Sequence, residues 1–420
     1  MSWSSSGSGP DLTGARARRG ANLPRIGDFN QAVVLDALRR ARHGLSRADL
    51  SEHTGLSAQS ITNIVRRLAE RGLVTEQAPA LPHGRGRPAA PIRLDPAGRF
   101  AVGVHVDPTV TSVALVDLTA AVVASRRTVA ASATSPERLT TAVADAVAEV
   151  TAGVAAERVL GVGVATPGPV DTGAGVVVGA PLLPGWERVE LRRLVREATG
   201  LPVVMHKDTA AAAVGELWHE PDPADFVFLY LGTGLGAGFV VNGELLPGRT
   251  DNAGEIGHLM VSPDGPRCHC GQVGCVGASS MPRTLVGEAV AAGVLEPSAH
   301  DAGDVEIDAA FTRLCVAAAR NAPAREVLER SAARLARAAV TLCNALDVGA
   351  VVVGGPAWSR TEPVFLPILR EVVAATTEAR RVHEVAVRSS VLGDDAAVVG
   401  AACLVLEHSF SPSPATLLIR

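Results

Sequence analysis

The sequence predicts an α/β protein in two unequal parts, a small helical segment ahead of a larger body that alternates strands with helices. Three observations carry this. At 420 residues the chain exceeds what one ordinary hydrophobic core organises. Its apolar content of 47% is that of a folded chain, with a core drawn from Ala, Val and Leu because aromatic residues make up only 3%. Charge is divided: residues 1–98 hold 14 Arg against 8 acids, a formal +6, while the remainder holds 25 Lys or Arg against 35 acids, a formal −10. A basic segment in front of an acidic body is the layout of a nucleic-acid reader joined to something else.

Residues 1–29 begin MSWSSSGSGPDLTGARARRG, a polar stretch expected to be a disordered tail. It lacks the apolar core of a secretory signal, and no apolar run is long enough to span a bilayer. A cytoplasmic protein without membrane association is expected, where thiols stay reduced and disulfides are rare.

Residues 30–98 read as a winged helix-turn-helix. NQAVVLDALRRARHG places Val33, Val34, Leu35 and Leu38 on one helical stripe. Ser46 caps a short helix carrying Leu50, Thr54-Gly55-Leu56 makes a tight turn, and Ser57 caps a second helix with Ile61, Ile64, Val65 and Leu68 facing inward. That second helix is the one expected in a major groove. Its outward set is Gln59, Ser60, Thr62, Asn63, Arg66 and Arg67, with Ser57 at its N-terminus. Gln and Asn match adenine, and Arg reads guanine or clamps phosphate. A merely solvated polar face is the alternative. GLVTEQ then starts a strand, and the wing or linker GRGRP offers Arg85 and Arg87 on extended backbone suited to a narrow minor groove, or to a plain linker.

From Phe100 the pattern changes. FAVGVHVDPTVTSVALVDL gives two strands around a turn, AAVVASRRTVAA a third, SPERLTTAVADAVAEVTAGV an amphipathic helix, and VLGVGVATPGPVDTGAG a strand and loop. A second set follows, with FVFLYLGTGLGAGFVVNGELL as strand, glycine turn and strand, and VGAVVVGGPAW as a buried strand ending in Gly-Gly.

The strings TPGPVD (166–171), APLLPGW (180–186), LPVVMHKDTAAAAVGE (201–216), LGTGLGAGFVVNGEL (231–245), NAGEIGH (252–258), CHCGQVGC (268–275) and VVVGGP (351–356) occur in that order. In this the chain resembles the ROK family, which contains bacterial sugar kinases and sugar-responsive repressors, the latter with a winged helix in front. The resemblance covers roughly residues 30–408. It implies a two-lobed, actin-like ATPase body of the ribonuclease H-like type, with a sugar site in the cleft. Lobe 1 is expected over 99–225 with a returning C-terminal helix at about 394–408, and lobe 2 over 226–393.

His258 is followed at ten, twelve and seventeen residues by Cys268, Cys270 and Cys275. One imidazole and three thiolates are a closed tetrahedral set for a structural Zn²⁺, with Gly271 and Gly274 letting the backbone turn between ligands. A cysteine-rich loop without metal is the alternative. His269, between two ligands, is expected to point away, and Cys315, Cys343 and Cys403 are expected in the core.

By the resemblance, Asp208 corresponds to the kinases' general base, while Glu255 and His258 correspond to sugar-binding residues. Phosphoryl transfer also needs a phosphate cradle and a magnesium site. The family's kinases carry Asp-x-Gly-Gly-Thr where this chain has His105-Val106-Asp107-Pro108-Thr109. Pro108 lacks an N–H, Asp107 brings negative charge to the phosphate position, and His105 replaces an acid. The second loop, Gly232-Thr233-Gly234-Leu235-Gly236, is kept, although glycines also make hairpins. No catalytic residue is therefore expected, and Asp208 is expected as a vestigial base. Lys207, Leu182 and Gly277 replace an asparagine, another asparagine and a glutamate of the family's sugar site. Lys207 could pair with Asp208 or attract a sugar acid or sugar phosphate. The expected ligand-binding set is Lys207, Asp208, Glu255 and His258.

The reading is a DNA-binding transcriptional regulator responding to a sugar or sugar derivative, acting as a homodimer or homotetramer on a double-stranded operator. A sugar kinase carrying a DNA-binding head, and an effector-independent DNA binder, are its rivals.

Overall fold

The computed structural model describes residues 23–41, 43–77, 90–128, 130, 135–220, 225–299 and 303–411. At the front are three helices, Leu23–Arg40, Arg47–Thr54 and Ala58–Glu70, followed by antiparallel strands Val74–Glu76 and Ile92–Leu94. The caps explain the boundaries. Ser46 and Asp49 form a reciprocal capping box, Gly55 closes the second helix in the left-handed region, and the Ser57 side chain accepts from the Ser60 N–H. Val34, Leu35, Leu38, Leu50, Ile61, Val65 and Leu68 are buried, whereas Val33 is half-buried.

The first helix starts at Leu23, inside the stretch assigned to the tail, rather than at Asn30. Pro24 is tolerated there because the first turn has no intrahelical use for its missing N–H. Gly27 and Asp28 interrupt the apolar stripe and hide this turn from a periodicity reading. Residues 1–22, and Arg85 and Arg87 in the wing, lie outside the described residues.

The body holds two five-stranded sheets with the same internal order. In the first, Phe100–Val106, Thr111–Asp117 and Val122–Arg127 form an antiparallel meander, and Val159–Thr166 and Val203–Lys207 add parallel strands on the other side. In the second, Phe226–Leu231, Leu235–Val241 and Glu244–Leu245 make the meander, and Ala350–Gly354 and Ala386–Ser389 add in parallel. If the strands of either lobe are numbered by position in the chain, both sheets read 3-2-1-4-5.

The last helix, Ala396–Phe410, returns to the first sheet and packs beside helix Asp208–His219. Glycine makes this approach feasible: a Cβ on Gly163 would lie 1.7 Å from the Ala401 carbonyl oxygen, and one on Gly400 would lie 1.9 Å from that of Ala211. The front segment is not separate from the body. Leu50, Ile61 and Leu68 share one apolar cluster with Val116, Leu118, Trp218, Cys403 and Leu406.

Candidate functional site

On helix Ala58–Glu70, Gln59, Thr62, Arg66 and Arg67 are exposed, while Ser60 and Asn63 are half-buried. Ser57 is exposed but its hydroxyl is engaged as the helix cap. The Thr62 hydroxyl donates back to the Ala58 carbonyl at 2.8 Å. The polar groups thus leave one face of the helix, with the apolar face buried beneath it.

In lobe 2, the nitrogen or sulfur atoms of His258, Cys268, Cys270 and Cys275 lie within 4.8 Å of one another. Cys270 and Cys275 sulfurs are 3.7 Å apart, and His258 Nδ1 is 3.5 Å from Cys268 Sγ. A tetrahedral ion with metal–sulfur bonds of about 2.3 Å and a metal–nitrogen bond of about 2.0 Å sets edges of roughly 3.8 and 3.6 Å. The arrangement therefore fits a tetrahedral cation, with Nδ1 facing the thiols and Nε2 the remaining ring nitrogen. Gly271 and Gly274 both adopt positive φ, and a Cβ on Gly274 would sit 1.5 Å from the Ser262 carbonyl oxygen. Cys343 and Cys403 are buried in helices and Cys315 is half-buried.

His269 stays out of the four-ligand group, as expected. It lines the cavity beside His258, with ring centroids 5.1 Å apart in an edge-on arrangement. The Gly271 N–H donates to the Cys268 carbonyl, which makes residues 268–271 a tight turn. Position 269 is the first corner of that turn, and its Nδ1 lies 3.8 Å from Cys268 Sγ.

The cavity next to the metal cluster is about 200 Å³ and is bounded by Lys207, Asp208, Glu255, His258, Leu182 and Tyr230, among others. Lys207 is buried and its Nζ lies 2.5 Å from Glu255 Oε1, so it pairs with Glu255 and not with Asp208. Asp208 opens helix Asp208–His219, and its Oδ1 accepts from the Thr209 N–H at 2.7 Å. Its side chain keeps some access to the cavity, yet its desolvated surroundings push the carboxyl up to about 7, against the pull of the Lys207 cation.

The first loop closes on itself. Asp107 is buried, and its Oδ1 accepts from the Thr109 N–H at 2.8 Å and from the Thr109 hydroxyl at 2.6 Å. The Thr233 hydroxyl of the second glycine loop reaches the same oxygen at 3.4 Å. The Thr109 N–H and the two threonine hydroxyls are thus turned onto the protein's own carboxylate. His105 is also buried, and its Nε2 is 3.2 Å from the Tyr230 hydroxyl. Burial pushes the imidazole down and the phenol well up, so a neutral ring and a protonated phenol share this hydrogen bond. The glycines of the second loop have a packing role: a Cβ on Gly236 would lie 2.5 Å from Thr209 Cγ2. Tyr230 was missed from sequence, although it is the sole tyrosine and stands two residues before that loop.

The far end of the Asp208 helix meets the front segment. Arg39 donates to the carbonyls of Leu217 and Trp218, and its guanidinium lies 4.7 Å from the Trp218 ring centroid. Just before them, the buried Glu216 carboxylate accepts from Arg388 and, at 2.7 Å, from the Ser390 hydroxyl of lobe 2. The 12-residue helix thus runs from the cavity to the front segment, touching both lobes.

Residues 101–408 match the ROK family, and residues 23–86 match the MarR family. A putative xylose repressor of Caldicellulosiruptor sp. (strain Rt8B.4) is 26% identical, over 92% of this chain and 97% of its own length. A glucokinase of Halalkalibacterium halodurans is 31% identical, over 60% of this chain and 78% of its own. A crystal structure of a ROK family transcriptional regulator, a homolog of the E. coli MLC protein, aligns with a TM-score of 0.74 at 24% identity, covering 92% of this chain and 98% of that one. That likeness is one of fold, and it includes the front segment. The MarR-type match, together with the capped helix pair and paired wing strands, makes the front a winged helix-turn-helix. Among the described residues no helix is long and apolar enough to cross a membrane. With well over half of its residues inside the first match, the chain belongs to the ROK family.

Proposed function

We propose that this chain is a sugar-responsive transcriptional repressor, cytoplasmic, that binds a two-fold operator as a homodimer or homotetramer and has lost phosphotransfer. The observation that carries the loss of kinase activity is the Asp107 carboxylate, held by Thr109 and Thr233 across the place where phosphate would lie. A fixed negative charge there repels polyphosphate, and the nearby N–H is already spent. Operator contact falls to Ser57, Gln59, Ser60, Thr62, Asn63, Arg66 and Arg67, with Arg85 and Arg87 of the wing in the minor groove. The names of relatives, xylose repressor among them, support the sugar effector and the repressor role.

The donor set and its edges support Zn²⁺ held by His258, Cys268, Cys270 and Cys275, where the ion would brace the loop that walls the cavity. A ligand contacting Lys207, Asp208, Glu255 and His258 in one cleft closure shifts the population toward that closure. The Asp208 helix carries the change to the DNA-binding head. Two assays test the reading together. Footprinting on the promoter region of its own gene should show a protected two-fold site that a sugar from a panel releases. A coupled ATPase assay across the same panel should show no turnover. Turnover with any sugar, or the absence of a protected site, overturns the proposal.

A further inference from the structure

Lys207 is the only lysine among 39 Lys and Arg residues, and it sits at the cavity. It is 2% exposed, and a Cβ on Gly168 would press against its Cγ, Cδ and Cε at 3.0–3.1 Å, so that glycine makes room for the stem. Its partner is different in kind. The Glu255 side chain is 62% exposed. A buried ammonium needs a counter-charge, because desolvation is not repaid otherwise, whereas a solvated carboxylate loses little by moving back into water. The pair is therefore asymmetric: another anion entering the cavity can take the place of Glu255 and leave Lys207 neutralised. Asp208 does not oppose this, since its raised carboxyl can retain a proton beside an incoming anion. Apolar lining comes from Pro167, Leu182, Leu235 and Met281.

We propose that the cavity takes an anionic small molecule, a sugar or related compound bearing a carboxylate or phosphate, whose acid group replaces Glu255 on Lys207. This rests on the reading that the cavity is the effector site. The test needs no knowledge of the carbon skeleton. The full-length chain labelled with ¹⁵N-lysine has one lysine ammonium resonance, which is titrated with acetate, with inorganic phosphate and with chloride at constant ionic strength. Acetate or phosphate should shift it saturably and chloride should not, and the tighter of the two tells a carboxylate ligand from a phosphate one. Glu255→Gln, with the competing charge gone, should bind the same anion about tenfold more tightly. Lys207→Met should abolish anion binding, read by calorimetry, while circular dichroism reports its fold. The absence of a saturable shift in Glu255→Gln, or an equal shift with chloride, overturns the proposal. If Glu255→Gln does not fold, the wild-type titration decides by the same criterion. None of these readouts involves DNA, so failure of the anion site and failure of operator control are seen separately.

Discussion

The two ends of helix Asp208–His219 are built on opposite principles. At its start, polar groups line a cavity: Lys207 pairs with a largely solvated Glu255, and burial raises the Asp208 carboxyl to about 7. At its end, Glu216 is fully buried and bound by Arg388 and Ser390, while Arg39 of the head donates to the terminal carbonyls. A helix C-terminus leaves carbonyls without intrahelical donors and favours a cation there. Arg39 meets both demands from a different domain. An element that is adjustable at one end and fastened at the other transmits displacement, because packed interiors shift as units and do not deform continuously.

The largest effect is expected at the fastened end. Glu216→Ala leaves Arg388 with only Glu220 and takes the acceptor from the Ser390 hydroxyl proton, while the Leu392 N–H still donates to that hydroxyl oxygen. A loss of about 3 kcal/mol in urea unfolding is expected from breaking such a buried pair. A loss under about 1 kcal/mol would mean that this end is not fastened by Glu216. Next, Arg39→Ala removes two carbonyl contacts and the stack on Trp218. It should cost about 2 kcal/mol and split a single unfolding transition into separate head and body steps. A single transition with unchanged midpoint would show that the shared apolar cluster alone joins head to body.

At the adjustable end, pH is the probe. The folded-state pKa of Asp208, about 7, lies above its unfolded value, so its contribution is fully present below about pH 4 and lost as pH rises through 7. Asp208→Asn should therefore match wild type near pH 4 and exceed it by about 2 kcal/mol at pH 8, the full linkage value being reduced by screening through the cavity mouth. Parallel stability curves for the two proteins would place the titration elsewhere. The smallest effect on stability is expected outside the helix altogether. Arg66→Ala on the exposed face should leave unfolding unchanged, within about 0.5 kcal/mol, and weaken operator binding by about 1–3 kcal/mol in gel-shift titration. Unchanged affinity would remove Arg66 from the interface.

Much of this molecule was legible because its signals are short. The capping box Ser46/Asp49, the Gly55 turn and the Ser57 cap lie within twelve residues, and each works through its own backbone. The four candidate ligands lie within eighteen residues, with glycines where the chain must turn. Alternation of strand and helix, with motifs in family order, was enough for the two-lobed body. The errors were also local. The first turn, Leu23 to Ile26, was hidden by Gly27 and Asp28, and the place of His269 in the cavity lining was not foreseen because spacing says nothing about which side of a tight turn faces a cavity.

From the residue order alone followed the fold class, the capped helix pair and a thiol-imidazole set able to grip one ion. These depend on steric and hydrogen-bond rules that act across a few residues. Only the folded chain decided which partners the long-range charges take. Lys207 meets Glu255 across 48 positions, Asp107 meets Thr233 across 126, Glu216 meets Arg388 across 172, and Arg39 meets Trp218 across 179. Coulombic and hydrogen-bond energies depend on distance in space and on local burial, and neither is written in the spacing of a sequence.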